Sequence, residues 1–176
     1  VLELDSHGFP KTSGIFETIK TVNGQPIALA RHMRRALDSA HSLGLKMPPE
    51  EELRVDLIKI LDEKPHALGK LRICIYADGF HLSHEEYAEP TNPLRFTFFS
   101  QTVSGDEHKQ FPYDHRFALL KSAQDEGFDD CILFNAKNEV TESAVANLLF
   151  LIQGGWVTPP ISAGVLPGVI RAIAIE

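Results

Sequence analysis

Five groups of residues carry side chains or backbone able to do chemistry. The first is Gly164-Val165-Leu166-Pro167-Gly168-Val169-Ile170-Arg171, a Gly-Pro loop that opens a helix at Val169. The first N–H groups of a helix, here those of Val169 and Ile170, have no partners inside it, and the helix dipole favours negative charge there. Gly168 puts no side chain in the way of an anion, although a helix start with nothing bound is the ordinary reading. The second group is the acid Glu142 with the amide Asn147, in a polar segment between the apolar runs Cys131–Phe134 and Leu148–Ile152. The third is Arg31-His32, followed by Arg34 and Arg35, which read as solvated charges. The fourth is a pair of lysines, Lys109 ahead of a helix and Lys121 within it. The fifth is His81, His84, Glu85 and Glu86, spaced H-x-x-H-E-E. It lies near Gly79 without helix signals, so it reads as loop histidines and no metal site is assigned.

The elements that must position these groups follow from periodicity. Ile15–Val22 is a strand pattern, Asn23-Gly24 a hairpin turn, and Pro26–Leu29 the returning strand. Ala30–Leu45 is an amphipathic helix with Met33, Leu37, Ala40 and Leu43 on one face. Pro48-Pro49 opens a second helix. Glu50, Glu51 and Glu52 suit its dipole there, and Leu53, Leu57, Ile60 and Leu61 form its inner face. Lys64–Gly69 reads as a loop, Leu71–Tyr76 as a strand with Leu71, Ile73 and Ile75 on one side, and Leu94–Ser100 as another strand. Thr102–Glu107 is a polar loop. A helix spans about Tyr113 to Glu126, with Phe117, Leu120 and Gln124 at helical spacing and Gly127 as its stop. Cys131–Phe134 and Leu148–Ile152 read as buried strands, and Gly154-Gly155 turns into a short strand at Trp156–Thr158 that Pro159-Pro160 ends.

Composition narrows the classes. The 176 residues are 43% hydrophobic, which supports a sizeable core, and the net charge is -7. That balance argues against broad binding to nucleic acid or anionic membrane. Cys74 and Cys131 sit in apolar runs and read as core residues, without a C-x-x-C motif. There is no apolar run of membrane-spanning length and no signal peptide pattern, so a cytoplasmic setting is expected.

Taken in order, Val140-Thr141-Glu142, Asn147-Leu148 with Phe150, the Gly154-Gly155 hairpin, Thr158-Pro159-Pro160 and the Gly164–Arg171 loop resemble the class IV aminotransferase family. These are the fold-type IV pyridoxal-phosphate (PLP) enzymes. They include branched-chain and D-amino-acid aminotransferases and 4-amino-4-deoxychorismate lyase. Gly14-Ile15-Phe16-Glu17-Thr18-Ile19 is similar to the family's N-terminal hairpin. The resemblance covers nearly the whole chain and is strongest over residues 14–45 and 108–171.

The resemblance implies an α+β fold of two subdomains with D-amino-acid aminotransferase-like architecture. Residues 1–92 would form the N-terminal α+β subdomain and residues 93–176 the C-terminal, PLP-binding one. PLP would lie in the cleft between them, and the assembly would be a homodimer. The chain begins at Val1 and stops at Glu176 inside a helical pattern, whereas the family continues further. The C-terminal subdomain is therefore expected to be incomplete, with part of the pocket beyond it.

Site residues follow from the same resemblance. The family's cofactor lysine precedes a helix and a G-x-D-[DE]-x-[LI]-[LI] stretch. Lys109 stands 20 residues before Asp129 of that stretch, while Lys121 reads as helix surface. Arg31 takes the place of an arginine that clamps the PLP phosphate, a task suited to a planar, permanently charged fork. The N–H groups of Val169 and Ile170 would share that phosphate. Glu142 takes the place of the acid that pairs with the pyridine nitrogen, and Asn147 ties loop to strand. The implied function is amino-group transfer from an amino acid to a 2-oxo acid. The alternative is lyase cleavage of 4-amino-4-deoxychorismate to 4-aminobenzoate and pyruvate. A non-catalytic protein keeping the fold is a third reading. The sequence departs from the family at Lys11-Thr12-Ser13, where Tyr/Phe-Gly-Asp is usual, and at Gln110, where Thr is frequent. It has no R-x-H motif after Leu71–Tyr76, which counts against D-amino-acid specificity.

Overall fold

Alternating apolar residues make Gly14–Val22 the first strand, β1, with Ile15 and Ile19 directed into a core. Asn23 and Gly24 take positive φ angles of 48° and 75°, the geometry that a two-residue hairpin turn requires. The return, β2, is only Gln25–Pro26, because Leu29 already begins helix α1, Leu29–Leu43. Helix α2 follows at Glu50–Glu63. Strands β3, Leu68–Tyr76, and β4, Gly79–Glu86, then pair antiparallel, and β3 pairs antiparallel with β1 along its whole length. The expected loop at Lys64–Gly69 is thus shorter, since β3 starts at Leu68 to match Val22.

The structure, a computed structural model, describes residues 2–102 and 107–176. The loop expected at Thr102–Glu107 lies largely outside the described residues. The chain divides into two compact units, Val1–Glu89 with Lys109–Pro112, and Pro90–His108 with Tyr113–Glu176. Lys109–Pro112, which the sequence placed with the second subdomain, belongs to the first unit. Strand β6, Gln110–Phe111, pairs antiparallel with β1 at Ile15 and Gly14.

In the first unit the strand order is β2-β1-β3-β4, with β6 beside β1 as well. Ile15, Ile19, Leu71, Ile73 and Ile75 pack with Ala36, Ala40, Leu53 and Leu57 of the two helices. Burying each of the larger side chains contributes about 1.5–3 kcal/mol. The inner face of α1 matches the expected one at Met33 and Ala40 and differs elsewhere. His32, Ala36, Ser39 and Ala40 are buried, whereas Leu37 is 53% exposed and Leu43 is exposed. Small residues let the helix lie close to the sheet, and His32 turns inward because a buried carboxylate waits for it there.

In the second unit β5, Phe96–Thr102, runs parallel to β7, Asp130–Phe134, which pairs antiparallel with β8, Val140–Ser143. Helix α3, Asp114–Asp125, covers this sheet. Its buried face is Arg116, Leu119 and Ala123, one residue round from the expected Phe117, Leu120 and Gln124. Strands β9, Phe150–Ile152, and β10, Gly155–Val157, form a hairpin. Leu151 and Ile152 are exposed in this chain, contrary to the buried strand expected there, as is Trp156. The chain ends in α4, Val169–Ile175. Among the described residues no helix is long and apolar enough to cross a membrane.

Candidate active site

Lys109 sits at the edge of the first unit, one residue before β6. Its carbonyl accepts the N–H of Phe16 at 2.8 Å, so the backbone at the lysine is fastened to β1. Its Nζ lies 4.5 Å from the centroid of the Phe16 ring. An aromatic face attracts an ammonium and also shields one side of the amine from water. The side chain of Lys109 is half-buried. Gly14 makes this arrangement possible. A Cβ there would lie 2.1 Å from the Ile75 carbonyl oxygen and 2.7 Å from the Phe111 ring. Lys121, by contrast, is an exposed helix residue paired with Asp125 one turn on.

Helix α1 delivers its cations differently from the sequence reading. Arg31 is exposed on the first turn. Arg35, read as a solvated charge, is tied to the buried carboxylate of Glu17 on β1. Its Nε donates to Oε1 at 2.8 Å, and its Nη2 donates to Oε2. His32 Nδ1 lies 2.7 Å from the same Oε2. Burial works against the charge of Glu17, but the hydrogen bonds from His32 and Arg35 together outweigh it and hold the carboxyl below its usual range. The pairing was legible in principle. Glu17 lies on the same face of β1 as the core residues Ile15 and Ile19, and Arg35 stands one turn from His32, but neither spacing names the partner.

In the second unit Glu142, on β8, is buried. Its Oε1 accepts Arg116 Nη2 at 2.7 Å, and its Oε2 accepts the Leu166 N–H at 3.1 Å and Asn147 Nδ2 at 3.2 Å. Asn147 also donates to the Leu166 carbonyl at 3.0 Å, and its bond to Glu142 on β8 is the loop-to-strand tie expected of it. Gly168 has a reason other than leaving room for an anion: a Cβ there would fall 1.8 Å from Asn147 Oδ1. Arg171 fastens Thr158-Pro159 to α4, donating to Thr158 Oγ1 at 3.1 Å and to the Pro159 carbonyl at 2.9 Å. Val169, buried, and Ile170, exposed, form the first turn of α4.

The H-x-x-H-E-E residues stand on β4 and not in a loop, because β3 and β4 pair from Gly69–Glu86 to Tyr76–Gly79. His84 is buried with its Nε2 2.8 Å from Thr21 Oγ1, and burial lowers its pKa. Among the described residues no group of three or more His, Cys, Asp or Glu is placed to hold a metal ion.

The structure therefore groups Lys109 with Arg31, Arg35 and Glu17 in one unit, and Glu142 with Val169, Ile170 and Arg116 in the other. Each unit by itself offers groups of the kind PLP needs: an amine on an aromatic face and cations on α1 in the first, and a buried acceptor carboxylate in the second. The mixed α and β fold of the two units is shared with class IV aminotransferase structures. Residues 14–176 match the family Amino-transferase class IV, and the chain belongs to it.

Individual relatives agree. The chain is 24% identical to a probable branched-chain-amino-acid aminotransferase of Rickettsia bellii, over 97% of this chain and 66% of that one. It is 24% identical to a Schizosaccharomyces pombe protein provisionally named aminodeoxychorismate lyase, over 93% of this chain and 74% of that one. A Legionella pneumophila structure, provisionally named 4-amino-4-deoxychorismate lyase, superposes with a TM-score of 0.80 at 25% identity, covering 92% of this chain and 67% of that one. The branched-chain aminotransferase of Thermoproteus uzoniensis shares the fold, with a TM-score of 0.82 at 21% identity, covering 92% of this chain and 64% of that one. The chain thus spans about two thirds of the length of several of these relatives.

Proposed function

We propose that this chain belongs to a PLP-dependent enzyme that moves an amino group between an amino acid and a 2-oxo acid. The observation that carries the reading is Glu142, a buried carboxylate whose two oxygens are both held by donors, at the family's position for the pyridine-nitrogen partner. Bound PLP supplies an electron sink for the pair released when a bond at the substrate Cα is broken. Lys109 would hold the cofactor through its amine, which would also move the proton at the substrate Cα. Glu142 would accept a hydrogen bond from the ring nitrogen and favour its protonated form.

The phosphate is assigned to Arg31 with the N–H groups of Val169 and Ile170. Geometry also supports Arg35 in this role, because Glu17 holds its guanidinium in a fixed orientation. Comparing PLP affinity in Arg31→Ala and Arg35→Ala separates the two. A large loss in only one names the clamp, and equal wild-type affinity in both removes α1 from the phosphate site.

The second reading is aminodeoxychorismate lyase, supported by the names of the yeast and Legionella relatives. The whole protein, loaded with PLP, is offered an amino-acid/2-oxo-acid pair and aminodeoxychorismate in parallel. The expected result is transamination. Release of 4-aminobenzoate without transamination makes it the lyase, and neither activity with no PLP bound makes it the non-catalytic relative. The family pattern also supports a homodimer and a cytoplasmic setting, to be tested by analytical ultracentrifugation and cell fractionation.

A further inference from the structure

Glu142 is held by donors of two kinds. Leu166 N–H and Asn147 Nδ2, on Oε2, are neutral, whereas Arg116 on Oε1 is a cation. The Arg116 and Glu142 side chains are 5% and 6% exposed. Arg116 Nη1 also donates to the carbonyl of Ser143, the residue after Glu142, at 3.3 Å. One guanidinium thus grips both the carboxylate and the backbone of the strand that carries it. Resting on the cofactor reading of Glu142, we propose that Arg116 is the positioning residue of this site. It keeps Glu142 ionised at depth and fixes the plane of its carboxylate for the ring nitrogen of PLP.

The physical argument is desolvation. Burial disfavours the charged form of a carboxyl, neutral donors offset part of that, and an adjacent cation offsets more because it adds charge as well as a hydrogen bond. A protonated Glu142 would hold a proton where it must accept one. The fork supplies direction as well as charge, since two N–H bonds to consecutive residues restrict rotation of the guanidinium. Asp130 on β7 accepts the N–H groups of Cys131 and Ala144 at 2.7 and 3.1 Å. It is an acid, so it cannot take over the part played by Arg116. The sequence gives no hint of the pairing, because 26 residues separate the two and Arg116 lies on the helix face that reads as polar.

The test uses the whole protein as wild type, R116M, R116K and R116M/E142Q, with R116Q replacing R116M if the methionine fails to fold. The carboxyl carbon of Glu142 is titrated by NMR without cofactor, melting temperature is followed between about pH 5 and pH 8, and PLP affinity is measured by absorbance. In R116M the folded-state pKa of Glu142 should rise toward neutrality, whereas R116K should keep the group ionised. A raised carboxyl pKa gives stability that is lost as pH rises through it. R116M should therefore melt lower at the alkaline end, and E142Q in the same chain should remove that slope. PLP affinity should fall about tenfold in R116M and recover in part in R116K. A Glu142 that remains ionised in R116M, or an R116M melting profile parallel to wild type, overturns the proposal. Failure of the wild type to bind PLP overturns the cofactor reading beneath it. That failure is distinguishable because the titration is read without cofactor.

Discussion

Lys109 is defined as much by Phe16 as by its own amine. The ring 4.5 Å away and the backbone hydrogen bond to β1 leave it a restricted set of positions. Lys109→Ala is expected to abolish the visible absorption band of the PLP-loaded protein and nearly all turnover, while Lys121→Ala, which removes only an exposed pair, keeps both. Absorption spectra with borohydride labelling and peptide mapping check this, and a label on Lys121 would move the site. Glu17 makes a separate prediction. Its carboxyl is held below the ordinary 4.5, so its ion pair stabilises the fold above that pH and is lost as pH falls through the folded-state value. Glu17→Gln should flatten the acid limb of the melting profile. Glu17→Ala, which leaves Arg35 and His32 inside without their acceptor, should cost about 3 kcal/mol in denaturant unfolding.

At the scale of elements, β1 is the strand on which the first unit depends. One edge meets β3 over nine residue pairs, and the other holds β2 at one end and β6 at the other. At Gly14 both β3, through the Ile75 carbonyl, and β6, through Phe111, press on β1. Gly14→Ala is expected to destabilise by about 1–3 kcal/mol through overpacking. Because its clash is with the Ile75 carbonyl and also with Phe111, two residues from Lys109, it should also weaken the PLP absorption band in protein that remains folded. Thermal melts paired with cofactor titration check both, and a melt equal to wild type would show that β6 can shift away freely. In the second unit α3 is oriented by its buried Arg116, which is why its face is turned one residue from the apolar pattern.

At the scale of the molecule, each unit carries one buried thiol. Burial pushes Cys74 up to about 12 and Cys131 up to about 11, with Asp130 adding to the second. Neither should react with a disulfide reagent near neutral pH while its unit is folded, since the thiolate is the nucleophile. Cys74 reports opening of the first unit and Cys131 of the second. Mass-resolved labelling across a denaturant series should give equal midpoints if the units unfold together and two midpoints if they do not. Labelling of either thiol in native buffer would contradict its burial.

What the sequence determined by itself is local or ordered along the chain. The β1 strand, the Asn23-Gly24 turn, the α2 helix with its acidic first turn, and the family, carried by an ordered run of motifs, were all legible. Each depends on neighbours within a few residues or on order alone. What tertiary structure decided is which polar groups meet. His32 and Arg35 turn inward only because Glu17 waits on a strand beneath them, so the apolar count for α1 placed Met33 and Ala40 correctly but missed the polar half of its inner face. Arg116 is buried only because Glu142 lies opposite, and H-x-x-H-E-E is a strand only because β3 offers its edge. A charged side chain is costly to bury without a partner and stable with one, and no window of sequence contains the partner.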